Sequence, residues 1–122
     1  MLLRILLVGV GGFIGANFRY LTSTLITSKD FPLATLVVNM VGCFGLALFV
    51  GFLDRHLMLS PNTRLLIGTG FFGALTTFST FSFETINLIE RGDFVLGGMY
   101  ALVSTMLGFS MTMLGLWVGR LL

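Results

Sequence analysis

Five hydroxyl side chains and three aromatic rings fall within eight residues, Thr76-Thr77-Phe78-Ser79-Thr80-Phe81-Ser82-Phe83, in a stretch otherwise apolar enough to cross a membrane. Hydrocarbon holds no water for such groups, so polar side chains at that depth turn toward partner helices or toward a route for something hydrophilic. Phe78 and Phe81 stand three residues apart, on one helical face, with Ser79 and Thr80 between them. Ser and Thr can bond back to their own helix, but five hydroxyls so close together are hard to dispose of in that way. A conduction path is the leading reading.

Other polar residues sit in equally apolar surroundings. Arg19 lies within the first hydrophobic stretch, where an arginine at the helix centre costs on the order of 3 kcal/mol on insertion scales. It either snorkels to the headgroups or provides a fixed positive charge at the base of a water-filled vestibule. Asn39, in Leu36-Val37-Val38-Asn39-Met40-Val41, carries donors and an acceptor with no polar sequence neighbour. Its amide can glue helices together or donate to a passing anion, and Thr35 is one turn earlier. Gly73 followed by hydroxyls suggests local unwinding that frees backbone carbonyls to bind a cation. Thr77, Thr80 and Glu84 follow i, i+3, i+7; Glu84 is read as reaching the membrane interface. Tyr100 and Ser104, one turn apart in the last hydrophobic stretch, can extend a polar line.

The elements that must position these residues follow from composition. Of 122 residues, 56% are hydrophobic and 10% charged, and the mean hydropathy is +1.02. A soluble domain of this length could not be given a charged surface from so few ionisable groups, so the chain is read as an integral membrane protein. The net charge of +2 is spread out and contains no basic run, which argues against nucleic-acid binding. Cys43 and His56 are each alone, leaving no intrachain disulfide and no metal-ligand set. Catalytic triads and phosphate loops are missing as well, and the chain is read as a non-enzyme. Arg4 before an apolar run looks like a signal peptide, but no small-x-small cleavage site follows, so a retained first helix is expected.

A bilayer-crossing helix needs ~20 mainly apolar residues, which places spans at about 3–26, 33–53, 65–89 and 94–119 in one four-helix domain. Lys29, Asp30 and Pro32 mark the first connection, the segment from Asp54 to Arg64 the second, and Arg91, Gly92 and Asp93 the third. Ser60 followed by Pro61 reads as a cap and first residue of the third helix. Arg4, Arg55, Arg64 and Arg120 then share one side and Lys29 and Arg91 the other, a bias weak enough to permit insertion in both orientations. Gly11 and Gly15, with Gly12 and Ala16, give small-residue spacings that let helix backbones approach. Trp117 reads as an interfacial anchor. Four short helices have little room for a sealed pore, so a homo-oligomer is expected.

These residues resemble the CrcB/Fluc family of fluoride channels. The resemblance is carried by Gly11-Gly12-Phe13-Ile14-Gly15-Ala16-Asn17-Phe18-Arg19-Tyr20, by Thr35-Leu36-Val37-Val38-Asn39, and by Gly73-Ala74-Leu75-Thr76-Thr77-Phe78-Ser79-Thr80-Phe81-Ser82. It implies an all-α membrane protein, an antiparallel dual-topology homodimer of four-helix subunits, with the third helix broken near its middle. It also implies two fluoride pathways and a structural Na⁺ at the dimer interface, held by backbone carbonyls that fall at Gly73 and Thr76. The pore phenylalanines of the family map to Phe78 and Phe81, its pore asparagine to Asn39 and its vestibule arginine to Arg19. Its polar track would pass Thr35, Ser79, Thr80, Tyr100 and Ser104, with Gly108 standing where the family often has a further hydroxyl. Passive fluoride export across the cytoplasmic inner membrane is the implied activity, with fluoride, a second copy and the bilayer as partners.

Two rivals have a different logic. A small multidrug-type cation exchanger would need a membrane-embedded carboxylate in the first helix, which here carries Arg19 and no acid. A structural subunit of a membrane complex would use every polar group as helix glue and transport nothing.

Overall fold

The computed structural model describes residues 1–56 and 60–122. Four helices are long and apolar enough to cross a membrane, Leu2–Leu25, Leu33–Arg55, Pro61–Glu90 and Phe94–Leu121, and the described residues contain no strand. The chain is a multi-pass membrane protein. Helix α1 is Leu2–Leu25 and α2 is Leu33–Arg55. The third span is composite: a first turn α3 (Pro61–Thr63), a π-helical run Arg64–Phe72, a turn α4 (Gly73–Leu75), then α5 (Phe78–Glu90). Helix α6, Phe94–Leu121, completes the bundle.

The helix ends are written in local chemistry. Ser60 caps the third span by accepting the Thr63 N–H at 3.3 Å, with Pro61 in the first turn where its missing N–H does no harm. Helix α5 stops at Gly92, whose φ of +91° strains any side chain. There the Asp93 N–H reaches the Leu88 carbonyl and the Gly92 N–H the Ile89 carbonyl, each at 3.0 Å, which ends the helix and turns the chain into α6. At the opposite edge of the bundle, exposed Arg120 and Asp54 approach to 3.5 Å, a contact worth little in stability.

Glycines set the packing. Gly11 and Gly15 press α1 against the Leu66 and Phe71 carbonyls of the π-helical run, leaving no room for a Cβ at either position. Gly42 meets the Thr76 side chain and Gly45 the Phe72 ring. Gly51, Gly115 and Gly119 do the same along the seam between α2 and α6. Close backbone approach replaces a hydrophobic drive that lipid cannot supply. Only 11% to 28% of each apolar window is buried, so most of the bundle surface faces lipid or another protein surface. Among the described residues Tyr100 is the largest side chain wholly buried, at 0% exposure.

The third span does not divide into two helices turned apart. Its axis bends by only 12°, and the loss of helical geometry is confined to Thr76 (φ −81°, ψ 154°) and Thr77 (φ −148°, ψ 118°). The rod stays nearly straight because Thr77 restarts the helix at once: its side chain accepts the Thr80 N–H at 3.2 Å.

Candidate functional site

The two extended residues organise the polar groups around them. Asn39 on α2 faces Thr77 and binds its backbone twice: Thr77 N–H donates to Asn39 Oδ1 at 2.8 Å, and Asn39 Nδ2 donates to the Thr77 carbonyl at 3.1 Å. A side-chain amide has the same donor–acceptor pair as a peptide unit, so it can stand in for the helical partners that an extended residue loses. The lone amide at position 39 is therefore first of all a clamp on the interruption, and one amide hydrogen is left over.

This arrangement diverts the donors that two carbonyls near the interruption would otherwise receive. In an unbroken helix the Gly73 carbonyl would accept from the Thr77 N–H and the Thr76 carbonyl from the Thr80 N–H. The first N–H is taken by Asn39 and the second by the Thr77 hydroxyl. Unpaired carbonyls are costly inside a membrane, and hard cations are bound by such oxygens. Among the described residues no group of three His, Cys, Asp or Glu is placed to hold a metal ion.

Two clefts lie on either side of the clamp, and Thr77 lines both. The first, about 570 Å³, opens at the connection between α1 and α2 near Ser28 and Phe31 and includes Arg19, Thr35, Thr80 and Glu84. Glu84 is the hub here. Its Oε1 accepts from the Thr35 hydroxyl at 2.7 Å and its Oε2 from the Tyr100 hydroxyl at 2.8 Å.

The second cleft, about 410 Å³, is lined by Asn39, Cys43, Phe78, Phe81, Ser104 and Gly108 among others. Phe78 and Phe81 stand with ring centroids 5.7 Å apart, inclined at 51°. Phe81 also leans on Tyr100 at 5.2 Å and 60°. Tyr100, wholly buried, lies behind the two clefts, its ring against Phe81 and Phe31 and its hydroxyl on Glu84. Ser104 differs from its neighbours on α6: Thr105, Ser110 and Thr112 each donate to the carbonyl four residues back at 2.8–2.9 Å. Ser104 Oγ is buried without a hydrogen-bond partner among the described residues.

The sequence-derived candidates therefore separate into groups. Arg19, Thr35 and Thr80 meet in the first cleft, and Asn39, Phe78, Phe81 and Ser104 in the second. Ser79 is exposed beside Phe78, its hydroxyl 3.2 Å from that of Thr77. Local bonding uses more of the hydroxyl cluster than the sequence suggests. Thr76 donates back to the Phe72 carbonyl at 3.1 Å, and Thr77 donates to Thr80 at 3.1 Å while contacting Ser79. Glu84, expected to reach the interface, lies beside the connection residues Lys29, Asp30 and Arg91, and is in addition half-buried and held by two helices. The spacing of Thr77, Thr80 and Glu84 was the signal, since it puts the carboxylate on the hydroxyl-bearing face.

A family model described as CrcB-like protein, Camphor Resistance (CrcB), matches residues 6–116. Proteins named fluoride-specific ion channel FluC are similar over nearly the whole chain. That of Rhizobium leguminosarum bv. trifolii is 44% identical over an alignment of 124 positions covering 99% of both chains. That of Oceanobacillus iheyensis is 42% identical over 113 residues, 92% of this chain and 88% of the relative. The Methanococcus aeolicus protein of the same name is 48% identical over 93 residues, 75% of each chain.

Proposed function

The chain belongs to the CrcB-like family, and on that premise we propose that it is a fluoride-selective ion channel, a passive outlet that lowers cytoplasmic fluoride across the inner membrane. The observation that carries the reading is the juxtaposition at Thr77. A clamped, extended backbone separates a charged, hydroxyl-rich cleft from an aromatic one that keeps an unspent buried hydroxyl.

Fluoride is small and strongly hydrated, and taking it out of water unaided would cost tens of kcal/mol. Arg19 raises anion concentration at the mouth of the first cleft. Thr35 and Thr80 line the approach, with Ser79 exposed beside Thr80 and Tyr100 buried behind Glu84, and the spare hydrogen of Asn39 and the hydroxyl of Ser104 replace water further in. The Phe78 and Phe81 rings have positive edges that attract an anion without holding it tightly. A narrow path built of such weak donors penalises the larger chloride.

The working unit of this proposal is an antiparallel homodimer with dual topology. Phe78 supports it: 79% exposed in the single chain, it lies open beside exposed Ser79 and Thr80 and calls for a second protein surface. The carbonyls of Gly73 and Thr76, whose helical donors are diverted, support a shared Na⁺ at that interface, whose positive charge would compensate those oxygens. Purified protein in fluoride-loaded liposomes should release fluoride rapidly, without proton dependence and with little chloride leak, as read by ion-selective electrodes. Silent vesicles, or release that requires a counter-gradient, would remove the reading.

A further inference from the structure

The second cleft has fewer usable donors than its lining suggests. Thr76 is committed to the Phe72 carbonyl, Thr77 to Thr80, Thr105 to the Ala101 carbonyl and Thr112 to the Gly108 carbonyl. On α6 the residues Ser104, Gly108 and Thr112 follow one another at successive turns. The first holds a free hydroxyl, the second has no side chain, and the third has already spent its proton. Beyond Ser104 the α6 wall offers an anion nothing. Across the gap, on α2 and one turn past Asn39, stands the free thiol of Cys43. A Cβ built on Gly108 would lie 3.7 Å from Cys43 Sγ and 3.7 Å from Met40 Cε, so the thiol fills the place a longer residue at 108 would point into.

We propose that Cys43 is a path-lining residue whose S–H takes over, as a weak donor, the contact that Gly108 leaves unmade. The inference rests on the fluoride-channel reading and deepens it. Three side-chain donors then share the lining of one cleft: the spare Asn39 amide hydrogen, the Ser104 hydroxyl and the Cys43 thiol. The orphaned buried Ser104 oxygen is an independent sign that this cleft receives a hydrogen-bonding guest. A thiol is a poorer donor than a hydroxyl, so this stretch binds the ion loosely and lets it go.

Cys43 is the chain's one cysteine, which makes the test clean. Methyl methanethiosulfonate should modify it in the folded channel. The thiol proton passes to water, the sulfur bonds to the reagent's S–CH3 group, and methanesulfinate leaves. Intact mass would report the modification and fluoride efflux its consequence, and we expect modified wild type to lose most of its flux. Cys43→Ser should be indifferent to the reagent and conduct at or above the wild-type rate. Cys43→Ala should conduct roughly two- to fivefold more slowly, the loss of one weak hydrogen bond. Adding Gly108→Ser to Cys43→Ala should restore the rate, since the geometry at Gly108 admits a side chain. Full modification with unchanged flux, a thiol that the reagent never reaches, or a double variant no faster than Cys43→Ala would each overturn the assignment. Wild type that releases no fluoride before any reagent is added would instead overturn the channel reading on which it rests.

Discussion

The cleft beside the connection of α1 and α2 presents Arg19, Glu84 and the hydroxyls of Thr35 and Thr80, whereas the cleft beyond Thr77 contains no charged side chain. The contrast extends to their hydrogen bonds. Glu84 consumes the hydroxyls of Thr35 and Tyr100, so the charged cleft is well tied together. In the neutral one Ser104 Oγ has no hydrogen-bond partner among the described residues, and Cys43 stands as a free thiol. A full charge attracts an anion over several ångströms but also captures nearby donors, while neutral donors and ring edges act only at contact and leave the ion free to move. On the proposed channel reading, gathering an ion and stripping its water would thus fall to different side chains, with the Asn39–Thr77 clamp as the boundary.

Breaking the neutral cleft should have the largest effect. Phe81→Ile removes the ring edge facing Phe78 and the packing on Tyr100. Fluoride efflux from liposomes is expected to fall more than about tenfold, the equivalent of ~1.4 kcal/mol. Gel filtration should give the same elution volume as wild type. Phe78→Ile should act in the same direction. If both proteins fold and conduct at the wild-type rate, the rings play no part in dehydration.

Next comes the boundary. Asn39→Asp keeps the acceptor for the Thr77 N–H but removes the donor to the Thr77 carbonyl and places negative charge on the path. Flux should drop about tenfold through repulsion of the anion, and stability should fall by ~1–3 kcal/mol for the carbonyl left unpaired. Thermal unfolding in detergent measures the second effect separately from the first. Equal stability and equal flux would mean that the clamp is dispensable.

The charged cleft should respond more in stability than in rate. Glu84→Gln keeps the size of the side chain but lets its amide accept from one hydroxyl only, leaving Thr35 or Tyr100 without its acceptor. A loss of ~1.5–3 kcal/mol is expected, the range for hydrogen bonds to a charged group. A melting point unchanged from wild type would show that Glu84 does not organise this end of the bundle.

How far the sequence could be read depended on the range of the interaction. The Ser60 cap, Pro61 and the Gly92 turn are local events, and their residue types announce them. Gly11 and Gly15 announce a close approach through spacing alone, though not that the partner would be a π-helical run. The polar segment 76–82 was visible because hydroxyls are conspicuous among apolar residues. What each one bonds to was not, because the Asn39–Thr77 pairing joins residues 38 apart and the Thr35–Glu84 pairing residues 49 apart. Glu84 shows the same limit: near a span end a carboxylate usually finds water, and only the fold reveals the two buried donors that also hold it. Ser104 carries the same lesson in reverse. Its sequence is no different in kind from that of Thr105, and only the packed helix leaves its oxygen alone.

The smallest effect should come from Arg19, and its salt dependence distinguishes the two clefts most sharply. The guanidinium is half-buried at the wall of the first cleft, and in the proposed channel it acts on an ion through the field rather than through a fixed contact. That field decays over a Debye length of about 10 Å at 0.1 M salt and about 3 Å at 1 M. Arg19→Gln should therefore slow fluoride entry by about two- to threefold at low ionic strength and hardly at all near 1 M. Phe81→Ile, which removes a contact, should be equally slow at both. A parallel salt series on the two variants reads the difference directly. An Arg19 effect that persists undiminished in high salt would mean that the arginine touches the ion, and that the first cleft strips water as well as gathering charge.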